Sequence, residues 1–259
     1  RVNNDKSDTL QLAGRLDRYV AGNKRIFTVV RVPTLEEEQR RVWPRQRKQF
    51  QGQRLSLASE GRALVLTQGV SISNMWWQEA LWKRHEKRLA PWLLVHLEIF
   101  RKVILSIQEE IEQIEQKILD ERKAKAEPKP KYAGDGSMEV IESEVCDWNR
   151  FGSWRKAGSY CGLTGGVSAS GQFHCDLSIT KVGNRRLRTA LIEMAWRLAL
   201  HQPNYWLTKK WAPVLSPKAK ANRRSRKKAI VAYARELFVD LWKWKTGRTT
   251  AEHLGWEMF

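Results

Sequence analysis

Two stretches of this chain carry residue types that could do phosphoryl-transfer chemistry. The first is Asn4-Asp5-Lys6-Ser7-Asp8. Two carboxylates three positions apart share one face of a helical turn. Such a pair can hold a divalent cation, and carboxylate-held magnesium commonly drives phosphoryl transfer. The same pattern also suits an Asp8 that caps a helix and an Asp5 that stays solvated near the helix dipole. The second stretch is Gly162-Leu163-Thr164-Gly165-Gly166-Val167-Ser168-Ala169-Ser170-Gly171, followed by Ile179-Thr180-Lys181-Val182-Gly183-Asn184-Arg185-Arg186-Leu187-Arg188. Its small residues predict a loop that lets a nucleic-acid backbone come close and exposes the hydroxyls of Ser168 and Ser170. The helix predicted next opens with Arg185, Arg186 and Arg188, with Lys181 and Asn184 just ahead. Helix N-terminal amides and guanidinium forks are good phosphate ligands. A serine beside them could attack a phosphodiester if a base or a metal eased its deprotonation. A flexible Gly/Ser turn beside a basic surface helix is the plainer reading, and it leaves phosphate binding in place.

Charge points the same way. The chain has 259 residues, with 47 Lys and Arg against 28 Asp and Glu, a formal charge of +19. A charge that large points to a polyanionic partner, usually nucleic acid, with a membrane surface or simple solubility as the rival readings. No stretch approaches the ~18 apolar residues of a membrane span, and no signal peptide is visible. From Asp147 to Phe259 there are 21 basic and 7 acidic residues, a net +14. Within that part, 218–228 holds seven basic residues in eleven, among them Arg223, Arg224 and Arg226. An apolar pattern follows at once (Ile230, Ala234, Leu237, Leu241, Trp244), so the run reads as the basic end of an ordered helix laid on phosphates. Cys146, Cys161 and Cys175 are an odd set without CxxC pairing, which argues for reduced thiols rather than a disulfide framework or zinc ribbon. Many of the 13 Trp stand beside Lys or Arg. Core or cation–π packing is the first reading for them, base stacking the second.

The elements that must position these residues are mostly helices. Thr9 to Ala21 predicts a helix with Leu12, Leu16, Tyr19 and Val20 at helical spacing. Ile26 to Val32 predicts a strand that Pro33 ends. Thr34 opens a long basic helix with a Thr-x-x-Glu box, and Pro44 predicts a kink or split in it. Gly69 to Pro91 is Trp-rich with weak periodicity. Leu93, Leu97, Phe100, Ile104, Ile107, Ile111, Ile114 and Ile118 then alternate by four and three, a heptad seam. It predicts a coiled-coil arm paired with a helix of its own chain or of a second protomer. Residues 121–131 read as a linker. Helices are predicted at Trp154 to Tyr160, at Asn184 to Leu200 with Leu187, Leu191, Ala195 and Leu198 inward, and at Ala219 to Trp244.

The stretch from Arg150 to Ala199 resembles the C-terminal domain of a bacterial insertion-sequence transposase family. The family pattern is Tyr-x-Gly-Leu, then Ser-Gly, then Ile-Thr-Lys-x-Gly-Asn and a basic Leu-Arg helix. Tyr160, Gly162 and Leu163, Ser170-Gly171, Ile179 to Asn184 and Leu187-Arg188 supply each part in order. Asn4-Asp5-x-x-Asp8 with Leu12-Ala13, the strand and the basic helix look like the end of the same family's RuvC-like DEDD domain. The coiled coil between them fits the family layout.

The resemblance implies a mainly α chain in four parts. Residues 1–69 would be the end of an RNase H-like α/β domain, and 70–122 a Trp-rich segment and coiled-coil arm. Residues 123–137 would be a linker, and 138–259 the serine transposase domain with its basic helix. It implies a recombinase that cleaves and rejoins DNA strands, with Ser170 as nucleophile through a covalent phosphoserine and Ser168 as the fallback. Asp5 and Asp8 would be the third and fourth magnesium ligands. The first Asp and the Glu are expected upstream of residue 1. DNA contacts would fall to Lys181, Asn184, Arg185, Arg186, Arg188, Arg223, Arg224 and Arg226. Further implied are a structured guide RNA, as in the bridge-RNA-guided recombinases, a homo-oligomer through the coiled coil, and a place in the bacterial cytoplasm at the nucleoid. The alternative is a truncated, non-catalytic nucleic-acid-binding remnant.

Overall fold

A computed structural model describes residues 5–26, 31–125, 127–170 and 173–259, with the side chains at 169, 170, 173 and 176 left aside. The described chain is mainly helical, and it divides into two units, Arg1–Leu35 and Glu36–Phe259.

In the first unit, helix α1 spans Asp5–Val20 and carries Asp5 and Asp8 in its first turn. The helix starts earlier than the apolar pattern implies, because acids are favoured at the positive end of a helix. Leu12, Leu16 and Val20 keep the predicted spacing but stay exposed. Of the strand predicted at Ile26 to Val32, Phe27 to Val30 lie outside the described residues. Ile26 sits in a bend, and Arg31 and Val32 in irregular chain.

The second unit begins with a helical arm. Helix α2 (Leu35–Leu66) and helix α4 (Pro91–Lys125) run antiparallel. Arg47 bonds Glu115 at 2.7 Å, Arg54 bonds Gln108, and Lys117 sits over the Trp43 ring, so partners on the two helices advance in opposite directions. Leu93, Leu97, Ile104, Ile111, Ile114 and Ile118 are buried, while Phe100 and Ile107 are half-buried. The heptad seam thus packs within its own chain, one of the two partners its spacing allows. That leaves the oligomer expected through the seam without this face. Pro44 lies inside α2, which runs through it without a split. Proline costs one backbone bond there, and the burial of its ring offsets that cost.

At the tip of the arm the Trp-rich passage turns out to be a small core. Helix α3 (Glu79–Glu86) and the turn before it bring Trp76, Trp77, Trp82 and Leu89 against Ala58, Val65, Leu93 and Leu97. The Trp76 indole N–H donates to the carbonyl of Ala58 at 2.9 Å, which satisfies its one polar atom.

The rest of the unit is a helical domain. Its order is α5 (Asp135–Val145), a short 3-10 turn at Trp148–Arg150, α6 (Trp154–Tyr160), strands β1 (Gly165–Ser170) and β2 (Phe173–Ile179), α7 (Arg185–His201), α8 (Trp206–Leu215), α9 (Arg223–Lys245) and α10 (Ala251–Leu254). One core joins Met138 and Ile141 of α5, Leu187, Leu191, Ala195 and Leu198 of α7, and Ile230, Ala234, Leu237 and Leu241 of α9. The apolar positions read from the sequence in α7 and α9 are therefore the inward ones, Trp244 being half-buried. The expected linker is shorter than predicted. Helix α4 reaches Lys125, and Lys131 donates to the carbonyl of Glu257 at 2.8 Å while Pro130 bridges Met258. Backbone pairing with the chain's last residues, invisible to composition, pins this stretch.

The covered seam gives a direct test. Ile111→Asp buries an unpartnered carboxylate between α4 and α2 and should destabilise the arm by more than about 3 kcal/mol. Thermal denaturation followed by circular dichroism should show an earlier loss of helical signal. A melting curve like that of the native protein would mean that α2 does not cover this position.

Candidate nucleic-acid interface

The segment predicted as a Gly/Ser loop is an antiparallel β-ribbon. Ser168 faces Cys175 in register, Ala169 faces His174, and Ser170, the last residue of β1, stands opposite Phe173, with a bulge between Gly165 and Val167. Small residues are compatible with a strand when the partner strand supplies the alternation, and Phe173, Cys175, Leu177 and Ile179 do so at period two. The ribbon projects to solvent: Val167 is 58% and Leu177 54% exposed, and Ser168, His174 and Ser178 are exposed as well. It is not walled into the core, so the hydroxyl of Ser168 is reachable from outside.

The base of the ribbon is where the two halves of the sequence motif meet. Thr180 donates to the carbonyl of Thr164 at 2.9 Å, and Lys181 donates to that of Gly162 at 3.2 Å. Gly162 and Gly183 both have positive φ, at 65° and 122°. A Cβ on Gly162 would lie 2.3 Å from the Val182 carbonyl oxygen, and one on Gly183 would lie 2.5 Å from that of Tyr160. Only glycine allows the two segments to touch this closely. Tyr160-x-Gly162-Leu163 and Ile179 to Asn184 are thus one physical joint.

That joint sets the N-terminus of α7. The Asn184 side-chain oxygen accepts from the backbone N–H of Arg186 (2.8 Å) and of Leu187 (3.3 Å), a helix cap. Its amide nitrogen donates to Glu144 at 2.6 Å. Asn184 is therefore a structural cap, whatever else it contacts. Arg185, Arg186 and Lys181 are exposed around it. Arg188 is half-buried, and its Nη1 donates to the carbonyls of Cys161 (3.4 Å) and Lys181 (3.3 Å), bracing the joint.

The second basic cluster opens α9. Asn222 caps it by accepting from Ser225 N–H at 2.8 Å. Arg223, Arg224, Lys227 and Lys228 are exposed. Arg226 instead donates to the carbonyls of Val214 (3.3 Å) and Ser216 (2.5 Å), closing the end of α8. Among the described residues, none of Lys181, Arg185, Arg186, Arg223, Arg224, Lys227 and Lys228 is ion-paired.

A different set of cations is paired with acids. On α5, Glu139, Glu142 and Glu144 are buried. Arg40 of α2 bonds Glu139 at 2.7 Å and Glu142 at 3.1 Å. Arg122 of α4 bonds Glu142 at 2.9 Å, and Lys245 of α9 pairs with it at 2.6 Å. Arg45 of α2 makes two bonds to Glu144, at 3.2 and 3.1 Å. Burial pushes the Glu144 carboxyl up, but the hydrogen bonds from Arg45 and Asn184 outweigh it and hold its pKa below the usual carboxylate value. Sequence reading missed these acids, and no periodic signal marks them as buried.

Comparison with known proteins bears on this domain directly. Residues 133–212, from just before α5 into α8, match the family "Transposase IS116/IS110/IS902 family". That stretch of the chain is therefore similar to the transposase domain of that family. A relative over nearly the whole chain is "Putative transposase y4rJ" of Sinorhizobium fredii (strain NBRC 101917 / NGR234), 31% identical over 271 residues, which cover 94% of this chain and 66% of that protein. A second protein of the same strain, y4qE, described in the same words, is 44% identical over 57 residues, 22% of this chain and 15% of its own length. The chain thus spans just under two thirds of the first relative. The matched region contains the ribbon, the joint and the capped N-terminus of α7, while the basic start of α9 lies beyond its end. Among the described residues no helix is long and apolar enough to cross a membrane.

Glu144 links the arm to the cap of α7 and can be tested by pH. Its folded pKa is lowered, so its stabilisation is present above the ordinary carboxylate value of about 4.3 and is lost as pH falls through the lower folded value. Glu144→Ala should cost about 2 kcal/mol at neutral pH, less than a fully buried pair because Arg45 is a third exposed. Urea denaturation at neutral and at strongly acidic pH should show the gap closing in acid. An unchanged gap would remove the charge from the explanation.

Proposed function

We propose that the chain works on DNA as part of an insertion-sequence transposase, cleaving and rejoining strands with Ser170 as the nucleophile. The observation that carries this reading is the joint. The residues that define the family resemblance converge on the base of an exposed ribbon, beside cations that lack an acidic partner. A polyanion is the ligand such cations suit, and phosphate is what the α7 N-terminus suits. Lys181, Arg185, Arg186, Arg223 and Arg224 would bind backbone phosphates. Arg188 and Arg226 would act mainly by holding the backbone that presents the others, and Asn184 by capping α7. In the step itself the serine oxygen would form a new P–O bond as the sugar oxygen leaves, and the hydroxyl proton would pass to a base.

The resemblance also implies magnesium, with Asp5 and Asp8 as ligands. These two exposed acids in the first turn of α1 fit the carboxylate share of such a site, since magnesium often takes one or two carboxylates with water and substrate phosphate completing its shell. When bound, the ion would stabilise charge on the phosphoryl oxygens. Among the described residues no group of three metal-ligating acids, histidines or cysteines occurs, and no step above is routed through the ion. The second reading is a nucleic-acid-binding protein without catalysis. A structured guide RNA would be a further polyanion for the free cations, and an oligomer would have to form through a surface other than the covered seam.

The deciding experiment is incubation of the full-length protein with element-end DNA and magnesium, followed by mass spectrometry for a serine-linked nucleotide. Ser170→Ala should abolish the adduct and leave DNA binding nearly intact. An adduct that persists would move the nucleophile to Ser168 or elsewhere, and no adduct in the native protein would favour the binding-only reading. Arg185→Ala with Arg186→Ala should weaken binding about tenfold on many sequences alike and lower the salt slope by about one per arginine. A loss confined to one target base would contradict phosphate contact.

A further inference from the structure

A second site lies on the transposase domain, away from the residues named above. Trp154 at the start of α6, Trp206 at the start of α8, Asp240 and Trp242 on α9, and Arg248 and Thr249 just after it line a pocket of about 550 Å³. That size falls within the ~300–1,000 Å³ typical of small-ligand sites. Its walls are unusual for a surface hollow. Trp154 is 47% and Trp206 40% exposed. Every tryptophan of the pocket has a cation over its ring: Arg155 at 4.7 Å from Trp154, Lys210 at 5.4 Å from Trp206, and Arg248 at 4.6 Å from Trp242.

The polar atoms point to a ligand that can hydrogen-bond. Asp240 is 2% exposed, and one of its oxygens accepts from the Tyr205 hydroxyl at 2.8 Å and the Trp206 indole at 2.7 Å. A carboxylate fixed in this way at the end of an aromatic slot is an acceptor for the amino or imino N–H of a base. Two further polar atoms of the wall, Trp242 Nε1 and Thr249 Oγ1, are buried and lack a hydrogen-bond partner among the described residues. Buried polar groups normally find partners, and an orphan costs about 1–3 kcal/mol. A polar ligand could engage them after a small side-chain adjustment.

We propose that this pocket binds a single unpaired nucleotide, with its base against Trp154 and Trp206, its amino or imino edge toward Asp240, and its phosphate at Arg248. The alternation of aromatic faces and cations is the chemistry by which proteins hold single-stranded nucleic acid. A nucleotide taken out of a duplex needs such a slot. The assignment rests on the nucleic-acid reading given above, but uses none of its residues.

Trp154 is the residue to change, because it is half exposed and its loss should not unfold the domain. Fluorescence anisotropy with the full chain would compare a paired DNA duplex, the same duplex with one bulged thymidine, and one with an abasic bulge. The bulged base should bind about tenfold tighter than the paired duplex, as stacking of one base predicts. Trp154→Ala and the abasic bulge should each erase that gain while leaving paired-duplex affinity unchanged, and Trp154→Phe should keep most of it. A matching RNA duplex with a bulged uridine separates the two sources: a gain on RNA alone assigns the pocket to an RNA strand, a gain on DNA to the DNA substrate. Equal binding of bulged and paired duplexes, in DNA and RNA alike, or a gain that survives Trp154→Ala, overturns the proposal while the wider reading stands. Failure to bind any duplex overturns that wider reading with it.

Discussion

The structure of the second unit turns on three carboxylates that α5 holds out of water. Removing an ion from solvent costs several kcal/mol, and only close, well-bonded counter-charges offset it. Glu139, Glu142 and Glu144 draw those counter-charges from Arg40 and Arg45 on α2, Arg122 on α4 and Lys245 on α9. Three helices must therefore converge on one short helix. Glu144 extends the constraint one step further, to the side-chain amide that caps α7. The arm, the core and the basic helix that frames the ribbon share this single electrostatic anchor.

Among the 47 basic residues of the chain two groups stand apart. One is paired with buried acids in the anchor and serves cohesion. The other, at the starts of α7 and α9, faces solvent without acidic partners. The two differ in kind, because screening by salt acts strongly on exposed charge and weakly on buried pairs. Net charge alone would credit both to a polyanion, whereas the geometry leaves only the second open to one.

Much of this was legible in the residues. The seam of α4 and the inward faces of α7 and α9 follow from apolar spacing, since a helix that buries one stripe must write it at its own period. The joint was visible as a motif, but not as a contact. Gly162 and Gly183 are separated by twenty positions, and only the fold shows that each is needed because the other segment touches it. The ribbon was read as a loop because its first strand is built of Gly, Ser and Ala, and the alternation that makes it a strand lies in its partner. The anchor was not legible at all. Acids at 139, 142 and 144 look like any solvated helix face, and their burial depends on arginines some hundred residues earlier. Asp5 and Asp8 belong to the other unit.

Arg188 and Arg226 carry a consequence for how this protein can vary. Both occupy backbone carbonyls, at the base of the ribbon and at the end of α8. A guanidinium reaches two acceptors at fixed angles, which an ammonium on a flexible stem does not reproduce. At Arg185, Arg186, Arg223 and Arg224 an exchange for lysine keeps the charge that matters. At 188 and 226 the same exchange keeps the charge and loses the brace. Drift between the two basic residues should thus be free at the first four positions and barred at the last two, so that a tally of basic residues would stay constant while the scaffold beneath them came loose.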